Sequence, residues 1–155
     1  MPCNLVILGK NLDIDALIAK SSLRGYSKRY KGQPVFKTKP NGKKSTHSSI
    51  RIQTSKSDFD NLEKQISDTI KYLKRHKNKL NIIRQTKEVD LAVLDFGICL
   101  RINKKEILTQ SDRFPNQLLK LAGDIGLDIE LSIYPIELQE ILETRSARKK
   151  RKVDG

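Results

Sequence analysis

Ser48-Ser49-Ile50-Arg51-Ile52-Gln53-Thr54, followed by Ser57-Asp58-Phe59-Asp60-Asn61-Leu62-Glu63-Lys64-Gln65-Ile66, changes its hydrophobic period along its length. Ile50 and Ile52 share one face and Arg51 and Gln53 the other, the alternation of a half-exposed antiparallel strand. From Ser57 onward, Phe59, Leu62, Ile66, Ile70 and Leu73 recur every three or four residues. That spacing predicts a long helix whose apolar stripe packs on a sheet. Ser57 suits the cap of its first turn, with Asp58 and Asp60 near the positive end of the helix dipole. Lys64, Lys71, Lys74, Arg75, Lys77 and Lys79 mostly lie off the stripe.

Working outward, Asn4–Gly9 reads as a buried strand, and Asp13 caps a short helix through Ala19. Tyr26 to Thr38 reads as an irregular strand leading into a long loop through Ser45. Val89–Ile102 is a long strand pattern with a bulge at Gly97, and Glu106–Gln110 pairs back on it as a hairpin. Pro115 opens a helix through Leu118, Leu119, Leu121 and Ala122, with Gly123 and Gly126 at its end. Leu127–Tyr134 is a final strand, and Ile136–Leu142 a short amphipathic helix. The resulting order predicts an α+β fold: a mostly antiparallel sheet with helices on one face, a ferredoxin-like sandwich with additions. Residues 1–144 form one domain, and 145–155 a basic tail too poor in apolar residues to fold.

Net charge is +13 over 155 residues and is unevenly spread. Residues 1–50 carry ten basic and two acidic groups, whereas residues 101–144 carry five and eight. Between Ala16 and Ser57 there is no acidic residue, yet eleven Lys or Arg fall there. Such a block repels itself, so it either seeks an anionic partner or stays a heavily solvated loop whose aromatics face the core. Arg24, Lys28, Arg29, Lys31, Lys43 and Lys44 are the candidate contact residues, with Tyr26 and Tyr30 as anchors. The partner is either an acidic protein or a nucleic acid gripped by the 20–56 block and the tail. Lys and Arg on one surface give salt-sensitive affinity for phosphates, and exposed aromatics stack on unpaired bases. The tail Arg148-Lys149-Lys150-Arg151-Lys152-Val153 also fits a nuclear-import signal, a segment touching RNA or membranes, or an appended tag.

Nothing in the chain suggests catalysis, a metal or a cofactor. His47 and His76 are the only histidines, and neither has a ligand three or four residues away. Lysines and arginines around His76 favour its neutral form. Asp90 and Asp95, five apart on one strand, point to opposite faces. No glycine-rich phosphate loop or nucleophile elbow is present. Cys3 and Cys99 lie in apolar strand patterns and read as small buried hydrophobes of a reducing cytoplasm. No run reaches the ~20 apolar residues of a membrane span, and the opening apolar run reads as a strand rather than an export signal.

Several motifs together resemble a known group. They are Leu8-Gly9-Lys10-Asn11-Leu12-Asp13-Ile14-Asp15, Lys31-Gly32, Leu94-Asp95-Phe96-Gly97-Ile98, Arg113-Phe114-Pro115 with Leu118-Leu119, and Leu131-Ser132-Ile133-Tyr134-Pro135. Over about residues 3–135 the chain is similar to small bacterial cytoplasmic proteins grouped as a domain of unknown function. Members often stand beside polymorphic toxin genes, so the resemblance implies an immunity-type role. It supplies no catalytic residue. The chain departs from the group in lacking a tryptophan near Ser48–Ile50 and in its basic tail. The expectation is a non-enzymatic binding module, cytoplasmic and without a membrane span, that neutralises a partner, possible toxin included, through a cationic surface.

Overall fold

The computed structural model describes residues 3–102 and 106–135. Five strands form one sheet: β1 (Cys3–Gly9), β2 (Tyr26–Arg29), β3 (Ser48–Gln53), β4 (Leu91–Cys99) and β5 (Asp128–Tyr134). Their order across the sheet is β2-β3-β1-β4-β5. All neighbours are antiparallel except β4 and β5. The helices are α1 (Ile14–Ser21), α2 (Leu62–Leu80), α3 (Ile82–Gln85) and α4 (Asn116–Ile125). The first four strands with α1 and α2 are two interleaved split β-α-β units, the ferredoxin-like arrangement. β5 is the addition: a parallel neighbour needs a crossover, and α4 supplies it.

Alternation decides which face is buried. Leu5, Ile7, Ile50, Ile52, Leu94 and Phe96 form one core cluster with Leu17, Leu62, Ile66, Leu73 and Leu118 of the helices. The register places them side by side: Leu5 opposite Ile52 and Leu94, Ile7 opposite Ile50, Cys3 opposite Phe96. The other face carries Val6, Leu8, Ser49 and Arg51, paired as Val6–Arg51 and Leu8–Ser49. At β1's end, Gly9 leaves room for the chain entering β4. Any side-chain carbon there would collide with the carbonyl oxygen of Glu88.

Several sequence expectations need correction. The long helix begins at Leu62, not Ser57, because Asn61 Oδ1 accepts the Lys64 N–H at 3.0 Å and provides the cap. Phe59 therefore lies outside the helical stripe. Its carbonyl accepts the Cys99 N–H at 3.1 Å, and its ring packs edge-on to Tyr134. Among the described residues Glu106–Gln110 adds no strand to the five-stranded sheet, where β4 lies between β1 and β5, and Ile107 alone in that segment forms a β-bridge. Instead the Gln110 side chain meets the main chain beyond β4, its Oε1 accepting the Arg101 N–H at 2.8 Å. Gly97 causes no bulge, for the β4–β5 register runs unbroken through Gly97–Ser132. Gly123 lies inside α4, and Gly126 alone ends it, at φ +81°. Ile136–Leu142 and the 145–155 tail fall outside the described residues.

Three of the buried polar residues, Thr54, Gln65 and Thr69, lie where α2 meets the sheet. Thr54 and Thr69 share a hydroxyl–hydroxyl hydrogen bond at 2.9 Å, and Gln65 Nε2 donates to the carbonyls of Asp58 and Gly97. Burial pushes the Cys3 thiol up to about 11, so at neutral pH it stays protonated and behaves as a small apolar group. Leu73 is fully buried at the centre of the α2 stripe, while Leu119 of α4 is half exposed. Leu73→Ala is expected to cost about 2–5 kcal/mol in urea unfolding, and Leu119→Ala less than about 1 kcal/mol. Equal losses would contradict the orientation of the helix layer.

Candidate functional site: a basic arm and a groove on the open sheet face

The chain between β2 and β3 is a stapled arm, not a slack loop. Gly32 N–H donates to the Ser45 carbonyl, Ser45 N–H to that of Gln33, and Val35 N–H to that of Lys43, each at 2.8 Å. These bonds continue the β2–β3 hairpin past the sheet. A turn at Tyr30–Gln33 starts the arm, and Gly32 occupies its positive φ of 84°. That conformation suits glycine alone at low cost. A second turn, Lys39 to Gly42, closes the tip, where Lys44 Nζ donates to the Pro40 carbonyl at 2.7 Å. Lys31, Lys37, Lys39, Lys43 and Lys44 are all exposed along this arm, as is Phe36 at 63 %.

The eight residues singled out from sequence fall into three groups, because strand alternation separates them. Tyr26 and Lys28 lie on the helix side of β2, opposite Ile52 and Ile50. Tyr26 and Tyr30 are half-buried and pack against the core, so neither is a free anchor. Lys28 Nζ reaches Asp15 of α1 at 2.7 Å, and the Tyr30 hydroxyl donates to the same carboxylate at 3.1 Å. Arg29 lies on the opposite, open face, opposite Ser49. Lys31, Lys43 and Lys44 belong to the arm. Arg24 stands apart in the exposed turn before β2, where Lys79 of α2 donates to the Ser22 carbonyl at 3.3 Å. The structure thus puts Lys31, Lys43 and Lys44 on the arm and Arg29 on the open face, with Arg24, Tyr26, Lys28 and Tyr30 apart from them.

Between the arm and the open face runs a groove of about 830 Å³. Val6 and Leu8 of β1 form its floor, Arg29 and Arg51 one side, and Pro34, Lys37 and His47 the overhanging arm. Ser27, Ser45 and Ser49 add hydroxyls, and no carboxylate lines it among the described residues. Arg51, Lys37 and His47 are not among the contact residues expected from sequence. Parity held the signal for Arg51: it alternates with Ile50 and Ile52, and pairs with Ser27 two residues before Arg29.

Ion pairing is sparse in the basic half. Of the eleven cations between Ala16 and Ser57, Lys28 alone makes an ion pair among the described residues. The remaining pairs, Lys64–Asp68, Lys77–Asp124 and Arg101–Asp112, lie elsewhere. His76 is held below its usual range chiefly by burial, with Lys79 and Arg75 adding to the effect. Charge alone, as read from sequence, is the smaller cause. Among the described residues no three His, Cys, Asp or Glu side chains gather as metal ligands. No described helix is long and apolar enough to cross a membrane.

The Lys28 and Tyr30 hydrogen bonds lower the Asp15 carboxyl below its ordinary range. Because the folded value is the lower one, this contact stabilises the fold at neutral pH and fades in acid as pH falls through the depressed value. An NMR titration is expected to place Asp15 below the ordinary aspartate range. Lys28→Ala is expected to raise Asp15 toward the ordinary value. An Asp15 midpoint unmoved by that change would remove the contact from the solution structure.

No curated protein and no solved structure matches the chain. Residues 1–135 match the family described as a domain of unknown function (DUF4279). That match takes in every strand and helix described above, and the chain belongs to the DUF4279 family.

Proposed function

We propose that this protein is a non-enzymatic binding module that captures an acidic protein partner on the basic arm between β2 and β3. The observation that carries this reading is the arm itself. Five exposed lysines and an exposed Phe36 stand on a backbone held by three cross-arm hydrogen bonds, and none of these lysines makes an ion pair among the described residues. A preorganised arm loses little entropy on binding, and its field speeds encounter with a negatively charged surface. Affinity then comes from a small number of desolvated anchors, and Phe36 replaces Tyr26 and Tyr30 in that role. The immunity-type role comes from the sequence resemblance, and a toxin encoded beside the gene is the partner it implies. A cytoplasmic site of action fits the same reading.

The test is association kinetics of the full chain with the product of the adjacent gene, measured at two salt concentrations. Lys37→Glu, Lys39→Glu and Lys43→Glu combined are expected to slow association by about tenfold or more. Phe36→Ala is expected to speed dissociation by about tenfold. An association rate unchanged by the triple reversal overturns the proposal. So does tighter, steeply salt-dependent retention on single-stranded poly(U), which would make Phe36 a base-stacking platform and the chain a nucleic-acid binder.

A further inference from the structure

The groove beneath the arm has features that the capture of a protein partner does not use. Its volume, about 830 Å³, lies within the range of small-molecule sites. Two independent elements build its charged side. Arg29 is opposite Ser49, and Arg51 opposite Ser27, so the two guanidinium groups are diagonal neighbours on one face. Diagonal positions sit roughly 7–8 Å apart at the backbone, within reach of one another for long side chains. Lys37 approaches from the arm above. Like charges so placed repel, and no carboxylate bonds to Arg29, Arg51 or Lys37 among the described residues.

The neighbouring surface is apolar. Val6 is paired directly with Arg51, Leu8 follows two residues on, and Pro34 closes the far wall. A ligand head held by the arginines thus has its next few atoms against hydrocarbon. Guanidinium groups favour planar or tetrahedral oxyanions, which they can grip through two parallel N–H donors.

We propose that this groove binds a small amphipathic anion, an organic carboxylate or phosphate monoester with a short apolar body. The head sits between Arg29 and Arg51 under Lys37, and the body lies along Val6, Leu8 and Pro34. This goes beyond capture of an acidic protein: Lys37 belongs to both surfaces, whereas Arg29, Arg51, Val6 and Leu8 belong to the groove alone.

Calorimetry on the full chain with hexanoate and hexyl phosphate tests it, with 1-hexanol and inorganic phosphate as separated halves of the ligand. Saturable one-to-one binding is expected for the two amphipathic anions, and tighter binding of one identifies the headgroup. Arg51→Gln is expected to weaken it by about tenfold or more, the scale of one charge-assisted contact. Arg29→Gln, on the exposed edge strand, should do the same and guards against a folding defect at Arg51. The tip change Lys43→Glu should leave hexanoate binding unaltered, which separates this site from the partner surface. Binding unaffected by both arginine changes, equal uptake of 1-hexanol, or no saturable binding up to about 10 mM overturns the proposal.

Discussion

The register of β3 against β1 is the constraint on which the rest of this structure depends. Ile50 and Ile52 are buried against Ile7 and Leu5, and the same pairing sets Arg51 beside Val6 on the opposite face. Side chains alternate with a period of two, so a slip of one residue would send Arg51 into the core and both isoleucines to water. Hydrophobic burial thus sets the position of a charged residue without touching it. β2 follows β3, and its parity passes to Arg29, which reaches the open face because Ile50 does not. The groove is a consequence of core packing one strand away.

The same parity explains why a uniformly basic stretch of sequence does not make a uniformly basic surface. Lys28 and Arg29 are adjacent in the chain and lie on opposite sides of the sheet. On the helix side α1 presents Asp15, and Lys28 and Tyr30 converge on it. On the open side nothing comparable meets Arg29 or Arg51 among the described residues. Among the described residues, the ion pair of the basic half is therefore placed where helix and sheet meet, and most of the other cations stand on the arm and open face, with Lys20 on α1 and Arg24 in the turn before β2. Exposed pairs of this sort contribute little to stability. The more useful effect of the Asp15 contact is to hold the start of the arm at Tyr30 against α1.

Fold class was legible from sequence because it rests on periodicity. Ser48–Gln53, the α2 stripe and the Leu127–Tyr134 run each declare one period over their length, and the predicted sandwich has the observed order with β5 appended. Boundaries were less legible. Ser57 looked like a helix cap, but Asn61 sits closer to the first buried stripe residue, Leu62, and its side chain made the bond. Phe59 fits a helical spacing by coincidence, and its partner Tyr134 is 75 residues away in sequence. The site was half legible. Composition revealed that residues 20–56 are cationic, yet which cations share a surface depends on a strand only four residues long. Tyr26 and Tyr30 were mistaken for anchors because aromatic identity carries no sign of burial, whereas Phe36 is exposed at the arm's tip.

A second acid-free stretch sharpens the electrostatic argument. From Thr69 to Lys87 there are seven Lys or Arg and no Asp or Glu, and Lys71, Lys74, Arg75 and Lys79 are exposed on α2. Cations toward the C-terminal end of a helix also complement its dipole, which is sufficient reason for several of them. α2 packs on the face of the sheet opposite the groove, so positive charge stands on both sides of the sheet instead of marking one. A field of that shape accelerates approach of any anion but orients it poorly. Orientation must then come from shape, and the arm and groove combine cations with relief: an exposed ring on one, an apolar floor in the other. Net charge accounts for attraction to anions in general, and the β2–β3 geometry is what can distinguish one from another.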